Sequence, residues 1–262
     1  LTRNTDFLVG VSRKTRSPSY IERFACVPIE ATAGLADGNI HVGNRDLDPE
    51  ISRKLELGLD WSGEDAYVTP RVFYRDVDDY IQGTPEGISP TQRMVSSVNG
   101  DSDPLKYNNV EAEIYGLDAT WGYDLPRWSK WQLDGSVSFL RGRRGDVDDD
   151  LYRFAPSQGD VRLSYRPNGW LLAAEGEFVA EQDNVSSAND ETPTAGYGLM
   201  NLKARWFHGE STTVSLGLNN VFDKTYREHL AGFNRVPASD VPLGERIPGN
   251  ERNLVVTVSY AW

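Results

Sequence analysis

Side chains that could bind a transition metal are few in this sequence and lie far apart. They are Cys26, His41, Met94, Met200, His208 and His229. Thiolate, thioether and imidazole groups are the ligands that copper prefers, but no two of the histidines have a metal-binding spacing such as i, i+4. A single cysteine cannot form an intrachain disulfide. The sequence therefore leaves any metal ligands unknown.

Familiar catalytic motifs are missing from the sequence. It has no Gly-x-Ser-x-Gly elbow, no Gly-x-x-x-x-Gly-Lys phosphate loop, no His-Glu-x-x-His pair and no Gly-x-Gly-x-x-Gly turn. The one candidate group of a histidine with carboxylates is His229 with Glu228 and Asp240, and its spacing matches no recognised signature. We therefore predict that the protein is not an enzyme and that it has no catalytic residue and no cofactor.

Acidic residues outnumber basic ones by 39 to 27, which gives a net charge of −12. This balance argues against nucleic acid as a partner. The densest acidic run holds Asp146, Asp148, Asp149 and Asp150. It lacks the glycine and the distal glutamate of a calcium loop. We interpret the run as a solvated loop that divalent ions could bridge to lipopolysaccharide phosphates.

Apolar residues alternate with polar ones over most of the chain, which is the period of an extended strand. In one such stretch, Leu55, Leu57 and Leu59 alternate with Lys54, Glu56 and Gly58. Ten strands are predicted, near residues 5–13, 54–61, 66–75, 105–123, 131–139, 161–165, 170–178, 200–206, 214–218 and 254–262. In the 105–123 strand the apolar phase slips at Tyr115-Gly116, which predicts a β-bulge there.

The connections between these strands alternate between short and long. Residues 62–64, 124–130, 167–169 and 207–210 are short, whereas 17–50, 82–104, 141–157, 182–196 and 224–250 are long and polar. Long loops are uncommon in a compact soluble domain and usually carry function or disorder. Short turns at one end and long loops at the other are typical of a transmembrane β-barrel, with periplasmic turns and extracellular loops. No apolar run reaches the ~18 residues of a membrane helix.

The tryptophans support this all-β, antiparallel barrel. All seven lie beside a short turn or at the C-terminus: Trp61, Trp121, Trp128, Trp131, Trp170, Trp206 and Trp262. Such a ring is typical of an aromatic girdle at a membrane interface. We predict that Leu57 and Leu172 face lipid and that Glu56 and Glu175 face the lumen. The alternative is a soluble β-sandwich binding module whose tryptophans fill its core.

Three stretches resemble a known family. The run Asn219-Asn220-Val221-Phe222-Asp223-Lys224-Thr225-Tyr226, followed by a long loop and a last strand ending in an aromatic residue, resembles the C-terminal signature of TonB-dependent outer-membrane receptors. Gly43-Asn44-Arg45-Asp46-Leu47-Asp48-Pro49-Glu50 and Phe73-Tyr74-Arg75-Asp76-Val77-Asp78-Asp79-Tyr80-Ile81 resemble earlier segments of the same receptors. Val221 stands where the family usually has leucine. The matches run in family order over nearly the whole chain.

The resemblance implies a barrel of about 22 strands, closed by an N-terminal plug and energised through TonB from the inner membrane of a Gram-negative bacterium. Ten strands are fewer than half of these, so we expect residues 1–262 to be the C-terminal part of such a barrel, with the plug and the first strands outside this chain. The implied partners are outer-membrane lipid and lipopolysaccharide, TonB, and a metal or metal-chelate ligand.

The two longest connections, residues 17–50 and 224–250, are expected to hold ligand contacts, because binding residues concentrate on loops positioned by a rigid scaffold. The run Glu30 to Gly38 and the loop Tyr226 to Arg235 are similar to the copper-receptor branch. The candidate residues are His41, Arg227, His229, Phe233 and Arg235. The ligand stays open between a copper ion and a metal–siderophore chelate. A small outer-membrane protease of the omptin type, built on His229, is the enzyme alternative.

Overall fold

The computed structural model describes residues 4–25, 39–209, 211–234 and 236–262. Eleven β-strands account for most of these residues. They are β1 (Thr5–Arg16), β2 (His41–Val42), β3 (Glu50–Ser62), β4 (Ala66–Thr84), β5 (Leu105–Asp124), β6 (Trp131–Arg144), β7 (Gln158–Tyr165), β8 (Trp170–Val179), β9 (Tyr197–His208), β10 (Thr212–Asn219) and β11 (Asn253–Tyr260). The helices are α1 (Tyr20–Phe24), α2 (Pro90–Val98) and two 3₁₀ turns, Pro126–Trp128 and Ser187–Asn189.

All the described strands belong to a single sheet. Ten long strands pair with their neighbours in the order β1-β3-β4-β5-β6-β7-β8-β9-β10-β11, and every one of these pairs is antiparallel. The two-residue strand β2 runs parallel to β5 beside this path. The ten predicted strands are therefore confirmed, and the described residues form one sheet rather than the two sheets of a sandwich. β1 and β11 are the free edges of the described sheet.

The predicted alternation of connections is also confirmed. Four connections have three to six residues, and the five others, at residues 17–49, 85–104, 145–157, 180–196 and 220–252, join strand ends at the opposite side of the sheet. Both α-helices lie in long connections and begin with a capping box, in which Ser19 and Ser89 bond to Glu22 and Gln92. No helix among the described residues is long and apolar enough to cross a membrane.

The two faces of the sheet differ in chemistry, as the alternation predicts. Leu57 and Leu172 lie on a face that remains exposed and apolar, together with the stacked pair Trp170 and Trp206 near the short turns. Glu56 and Glu175 lie on the opposite face. There Glu56 pairs with Lys54, and Glu175 is enclosed by basic side chains. We refer to these surfaces as the apolar face and the polar face.

The prediction of a β-bulge at Tyr115-Gly116 is wrong. β5 pairs with β6 in unbroken register across these residues. The register shift lies instead in β4, between Val77 and Tyr80. There Asp79 adopts a positive φ of 58°, a conformation that aspartate tolerates better than most residues. Its carbonyl oxygen accepts a hydrogen bond from Asn109 of β5.

The phase slip in β5 comes from a small hydrophobic core on the polar face at the long-loop end. Val77, Ala112, Ile114 and Leu151 are its buried members, and Phe154 packs against them. Leu151 and Phe154 belong to the 145–157 connection, which folds back over β4, β5 and β6. Under this connection the apolar residues of β5, Ala112 and Ile114, point to the polar face. Nearer the short turns the apolar residues of β5 point to the apolar face.

Candidate ligand-capture loops

The last long loop begins at a rigid turn built by the Asn-Asn-Val-Phe-Asp-Lys run. Asn220 and Asp223 have positive φ angles of 49° and 55°. The Asn220 side chain accepts a hydrogen bond from the backbone of Lys224 and donates to the carbonyl oxygens of Lys224 and Asn250. Asp223 accepts from the backbone N–H of Arg252, just before β11. The turn therefore holds the two ends of the 220–252 loop together.

His229 joins the 220–252 loop to the 180–196 loop. Its Nε2 lies 3.1 Å from Glu191 Oε1, and its Nδ1 lies 3.0 Å from Thr194 Oγ1. The two ionisable side chains are only 1% and 5% exposed. Since an ionised carboxylate only accepts hydrogen bonds, we assign the Nε2 proton to His229. The partner is Glu191 rather than Glu228 or Asp240, which the sequence had grouped with His229.

Arg246 is a buried residue of the 220–252 loop that also contacts the 180–196 loop. Its guanidinium donates to the carbonyl oxygens of His229 and Ala231, and it lies over the Phe233 ring at 4.6 Å. It also reaches Thr192 of the 180–196 loop at 3.4 and 3.5 Å. Burial lowers the pKa of Arg246 below its ordinary value. A buried guanidinium with several carbonyl partners fixes loop shape, and no sequence spacing pointed to it.

Glu191 is the common acceptor for three segments. In addition to His229, it accepts hydrogen bonds from the backbone N–H of Arg153 at 3.0 Å and of Ser186 at 2.9 Å. The Arg153 side chain continues to the carbonyl oxygen of Leu230 at 2.6 Å. The loops 145–157, 180–196 and 220–252 are therefore cross-linked into one unit, which we call the loop cluster.

Asp149 of the acidic run links the 145–157 loop to the 180–196 loop. It accepts hydrogen bonds from the backbone N–H of Ser187 and Ala188 and from the hydroxyls of Ser186 and Ser187. Burial opposes ionisation, but these hydrogen bonds outweigh it and lower the pKa of Asp149. Most of the acidic run is thus bound within the protein, whereas the Asp148 side chain is fully exposed.

The lowered pKa of Asp149 predicts acid-sensitive packing of these two loops. A carboxylate with a lowered folded-state pKa stabilises the fold above its unfolded pKa, about 3.9 for aspartate. That contribution is lost as the pH falls below this value. Amide protection factors at Ser187 and Ala188 should therefore drop between pH 6 and pH 3. Asp149→Asn should already show low protection at pH 6, and Asp148→Asn should behave like the wild type. Equal protection in all three proteins at pH 6 would contradict this role.

His41 lies beside the loop cluster and outside its cross-links, since Asn39, two residues earlier, donates to the carbonyl oxygen of Asn189 at 3.0 Å. His41 is 1% exposed, stacks on Tyr107 with ring centroids 5.1 Å apart, and belongs to β2 beside β5. The Gly43 to Glu50 motif follows β2, leads into β3 and packs on β4 and β5. In that motif Leu47 is buried against Ile81 and Tyr107. His41 and His229 therefore have different partners, and the ring nitrogens of His229 bond to Thr194 and Glu191.

The remaining candidate residues, Arg227, Phe233 and Arg235, differ in exposure and in whether the structure describes them. Arg227 is exposed, donates to the Arg246 carbonyl oxygen and pairs with Glu245 at 2.7 Å. Phe233 lies under Arg246, and Arg235 is outside the described residues. The copper-branch run from Glu30 to Gly38 is also outside them. Among the residues described, no three His, Cys, Asp or Glu side chains are grouped to hold a metal ion.

A ladder of charges crosses the polar face below the loop cluster. Glu175 is 5% exposed and lies between Arg162 and Lys203, each 2.7 Å from one of its carboxylate oxygens. Arg162 also approaches Asp134 at 3.7 Å. Such a paired, charged surface is suited to a water-filled or protein-filled barrel interior.

A family model settles which fold family this sheet represents. The model for the TonB dependent receptor-like β-barrel matches residues 1–221. The chain belongs to the TonB-dependent receptor family. The apolar face is therefore the lipid face of a transmembrane barrel and the polar face is its lumenal face. This family consists of receptors and transporters rather than enzymes.

Relatives of known sequence cover most of this chain. The vitamin B12 transporter BtuB of Photobacterium profundum is 23% identical over 184 residues, which are 70% of this chain and 28% of the relative. The ferric-pyoverdine 358 receptor of Pseudomonas putida is 25% identical over 241 residues, 85% of this chain and 25% of the relative. The chain thus spans about a quarter of the length of these TonB-dependent receptors.

Solved structures share the fold. The copper transporter OprC matches all of this chain and 38% of its own, with a TM-score of 0.81 and 21% identity. The pyoverdine outer-membrane receptor FpvA of Pseudomonas aeruginosa, bound to pyoverdine, matches all of this chain and 34% of its own, with a TM-score of 0.66 and 16% identity. The ten-strand sheet corresponds to part of each of these structures.

Proposed function

We propose that this chain is the C-terminal part of an outer-membrane receptor barrel that takes up a scarce metal-containing ligand with energy from TonB. The observation that carries the proposal is the position of the loop cluster, which is cross-linked above one end of a charged lumenal face. Loops held in this way suit capture of a ligand outside the cell. The remaining strands and a plug would be supplied by polypeptide outside residues 1–262, since the two edge strands need partners in lipid.

We propose an organic metal chelate as the ligand in preference to a bare copper ion. His41 and His229 are almost fully buried, and His229 has both ring nitrogens engaged. Neither imidazole is therefore presented to an incoming ion. Arginine and aromatic side chains recognise the carboxylate and ring groups of chelates, and Arg227, Phe233 and Arg235 are our candidates. A copper ion would need ligands outside the described loops.

The enzyme alternative is disfavoured by the surroundings of His229. A protease would need its histidine and carboxylate open to a substrate at the barrel mouth. Here His229 and Glu191 are enclosed by their own loops. Lipopolysaccharide remains a proposed partner of the outer rim, where the exposed Asp148 is the member of the acidic run most available to a bridging divalent ion.

Deleting residues 226–236 tests the proposal. In the complete receptor, this deletion should reduce uptake of a ferric siderophore strongly and uptake of copper little, because it removes the candidate chelate contacts. Competition uptake assays with copper and with ferric siderophores measure both. A matched control removes residues 88–98 around α2, which lie in a different loop. Unchanged uptake of every ligand after the 226–236 deletion would mean that the loop is only a cover.

A further inference from the structure

The lipid face has an open groove at the long-loop end of β6 to β9. Strand registers place Val137, Gly159, Phe178 and Gly198 side by side in one row of this face. Because the two glycines have no side chains, the row is open on both sides of Phe178, which is 58% exposed. The row lines a mainly apolar groove of about 640 Å³. The shape and chemistry of this groove suit a hydrocarbon chain.

The row lies near the outer edge of the apolar band of the barrel. Phe178 is eight residues from Trp170, a residue of the girdle at the short turns, on the same strand. This separation is about 27 Å along the strand and about 20 Å along the membrane normal at a strand tilt of about 40°. The apolar band of such barrels is ~25 Å tall. The row therefore lies in the hydrocarbon of the outer leaflet, just below the headgroups.

Lys224 is the basic residue in the lining of this groove. Its side chain is exposed and forms no ion pair with any residue that the structure describes. Its backbone is fixed, because the N–H donates to Asn220 Oδ1 at 2.9 Å and the carbonyl oxygen accepts from Asn220 Nδ2 at 2.8 Å. The rigid turn at the start of the 220–252 loop thus places an unpaired ammonium group beside an apolar groove.

This combination of an ammonium group and an apolar groove suits an anionic lipid. A gap that no side chain fills is filled by lipid chains, since a void loses dispersion contacts. A lysine at the membrane interface extends its apolar stem along hydrocarbon and keeps its charge among the headgroups. Phosphate groups accept charge-assisted hydrogen bonds from ammonium groups. In the outer leaflet the lipid that carries phosphate is the lipid A part of lipopolysaccharide.

We propose that this groove, defined by Val137, Gly159, Phe178, Gly198 and Lys224, binds one lipid A molecule. A phosphate of the lipid pairs directly with Lys224, and an acyl chain lies in the gap beside Phe178. The inference rests on the proposed function, which puts the long-loop end of the barrel outside the cell. Bound lipid would hold the base of the 220–252 loop from the membrane side.

Lipid binding to the complete receptor tests this site. The receptor is purified in mild detergent and titrated with lipid A that carries both phosphates, and native mass spectrometry measures the affinity of the first bound lipid. Hydrogen bonds to charged groups contribute about 1.5–3 kcal/mol, so Lys224→Glu should lower this affinity about tenfold or more. Lys224→Arg keeps a cation and should stay within about twofold of the wild type.

Gly198→Leu tests the apolar half of the site. A Cβ at this position meets only ordinary contacts, 3.6 Å from Glu177 O and Phe178 Cδ1, so the new side chain fills the groove without displacing the backbone. We expect the affinity for lipid A to fall about threefold or more, because the acyl chain loses its place. An unchanged affinity in Gly198→Leu would contradict the placement of the chain beside Phe178.

Lys130→Glu is the matched control, because Lys130 is also exposed but lies at the short-turn end. It should leave the affinity for lipid A within about twofold of the wild type. Lipid A without phosphates and phosphatidylglycerol should each bind about tenfold more weakly, or less. Equal binding of either lipid would overturn the proposal. So would equal losses of affinity in Lys130→Glu and Lys224→Glu, or no loss in Lys224→Glu.

Heat-modifiable mobility on gels checks that each variant is folded, and only folded receptor enters the comparison. The titration needs neither TonB nor a transported ligand. Failure of lipid binding is therefore distinguishable from failure of the proposed uptake function.

Discussion

Leu57→Arg should remove about 2–4 kcal/mol from the stability of the folded barrel, because it puts a guanidinium on the lipid face. Leu57 lies between Val9 and Val72 on neighbouring strands, four residues from the girdle residue Trp61. Its side chain would therefore meet hydrocarbon rather than headgroups. The measurement is the free energy of unfolding of the complete receptor in phospholipid vesicles, followed by tryptophan fluorescence.

Thr120→Arg is the matched control for this prediction. Thr120 is exposed on the lumenal face and bonds there to Thr69, with Asp118 nearby on the same face. A new guanidinium at this position stays in a polar environment, so the stability should change by less than about 1 kcal/mol. Equal destabilisation by Leu57→Arg and Thr120→Arg would contradict the assignment of the two faces.

Glu191→Ala should open the loop cluster without unfolding the sheet. The substitution leaves the backbone N–H groups of Arg153 and Ser186 and the imidazole of His229 without their acceptor. Each buried donor left unpaired costs about 1–3 kcal/mol, so we expect the free energy of local opening to fall by at least about 3 kcal/mol. Hydrogen exchange in 180–196 and 220–252 should accelerate more than a hundredfold, with β6 to β9 unchanged.

Glu228→Ala is the control, since Glu228 is an exposed glutamate one residue from His229. It should leave exchange in both loops within about twofold of the wild type. If Glu191→Ala also leaves both loops protected, the cluster is held by other contacts. Uniformly faster exchange across the strands would mean that Glu191 supports the whole barrel rather than its loops.

The number of strands and their ends at the short turns could be predicted because they depend on local alternation, whereas at the long-loop end β4 and β6 continue to Thr84 and Arg144, beyond the predicted 75 and 139. In a stretch such as Lys54 to Trp61 the alternation alone shows which residues share a face. The tryptophans lie at the short-turn end of each hairpin. The prediction of a bulge at Tyr115-Gly116 was wrong because the change in apolar phase has its cause outside the strand. Ala112 and Ile114 are apolar because Leu151, from another connection, packs on them. Local periodicity cannot distinguish a bulge from a change in what covers the strand.

The loop cluster was not predictable for a related reason. Glu191 and His229 are 38 residues apart, and Arg246 follows His229 by 17 residues in the same loop, so no motif spacing relates them. The two short helices do have a local signal, because Ser19 with Glu22 and Ser89 with Gln92 form capping boxes at their first turns. Family motifs located the loop bases correctly, since Asn220 and Asp223 shape a turn with purely local hydrogen bonds.

The central claim is that the chain is part of a barrel whose long loops lie outside the outer membrane. Cysteine accessibility in intact cells tests this claim most directly. In a Cys26→Ser background of the complete receptor, Asp240→Cys places a thiol in the last long loop and Glu64→Cys places one in a short turn; both positions are exposed. A membrane-impermeant maleimide should label Asp240→Cys in intact cells and Glu64→Cys only after the outer membrane is permeabilised. Labelling of both thiols in intact cells, or of Glu64→Cys alone, would contradict the account.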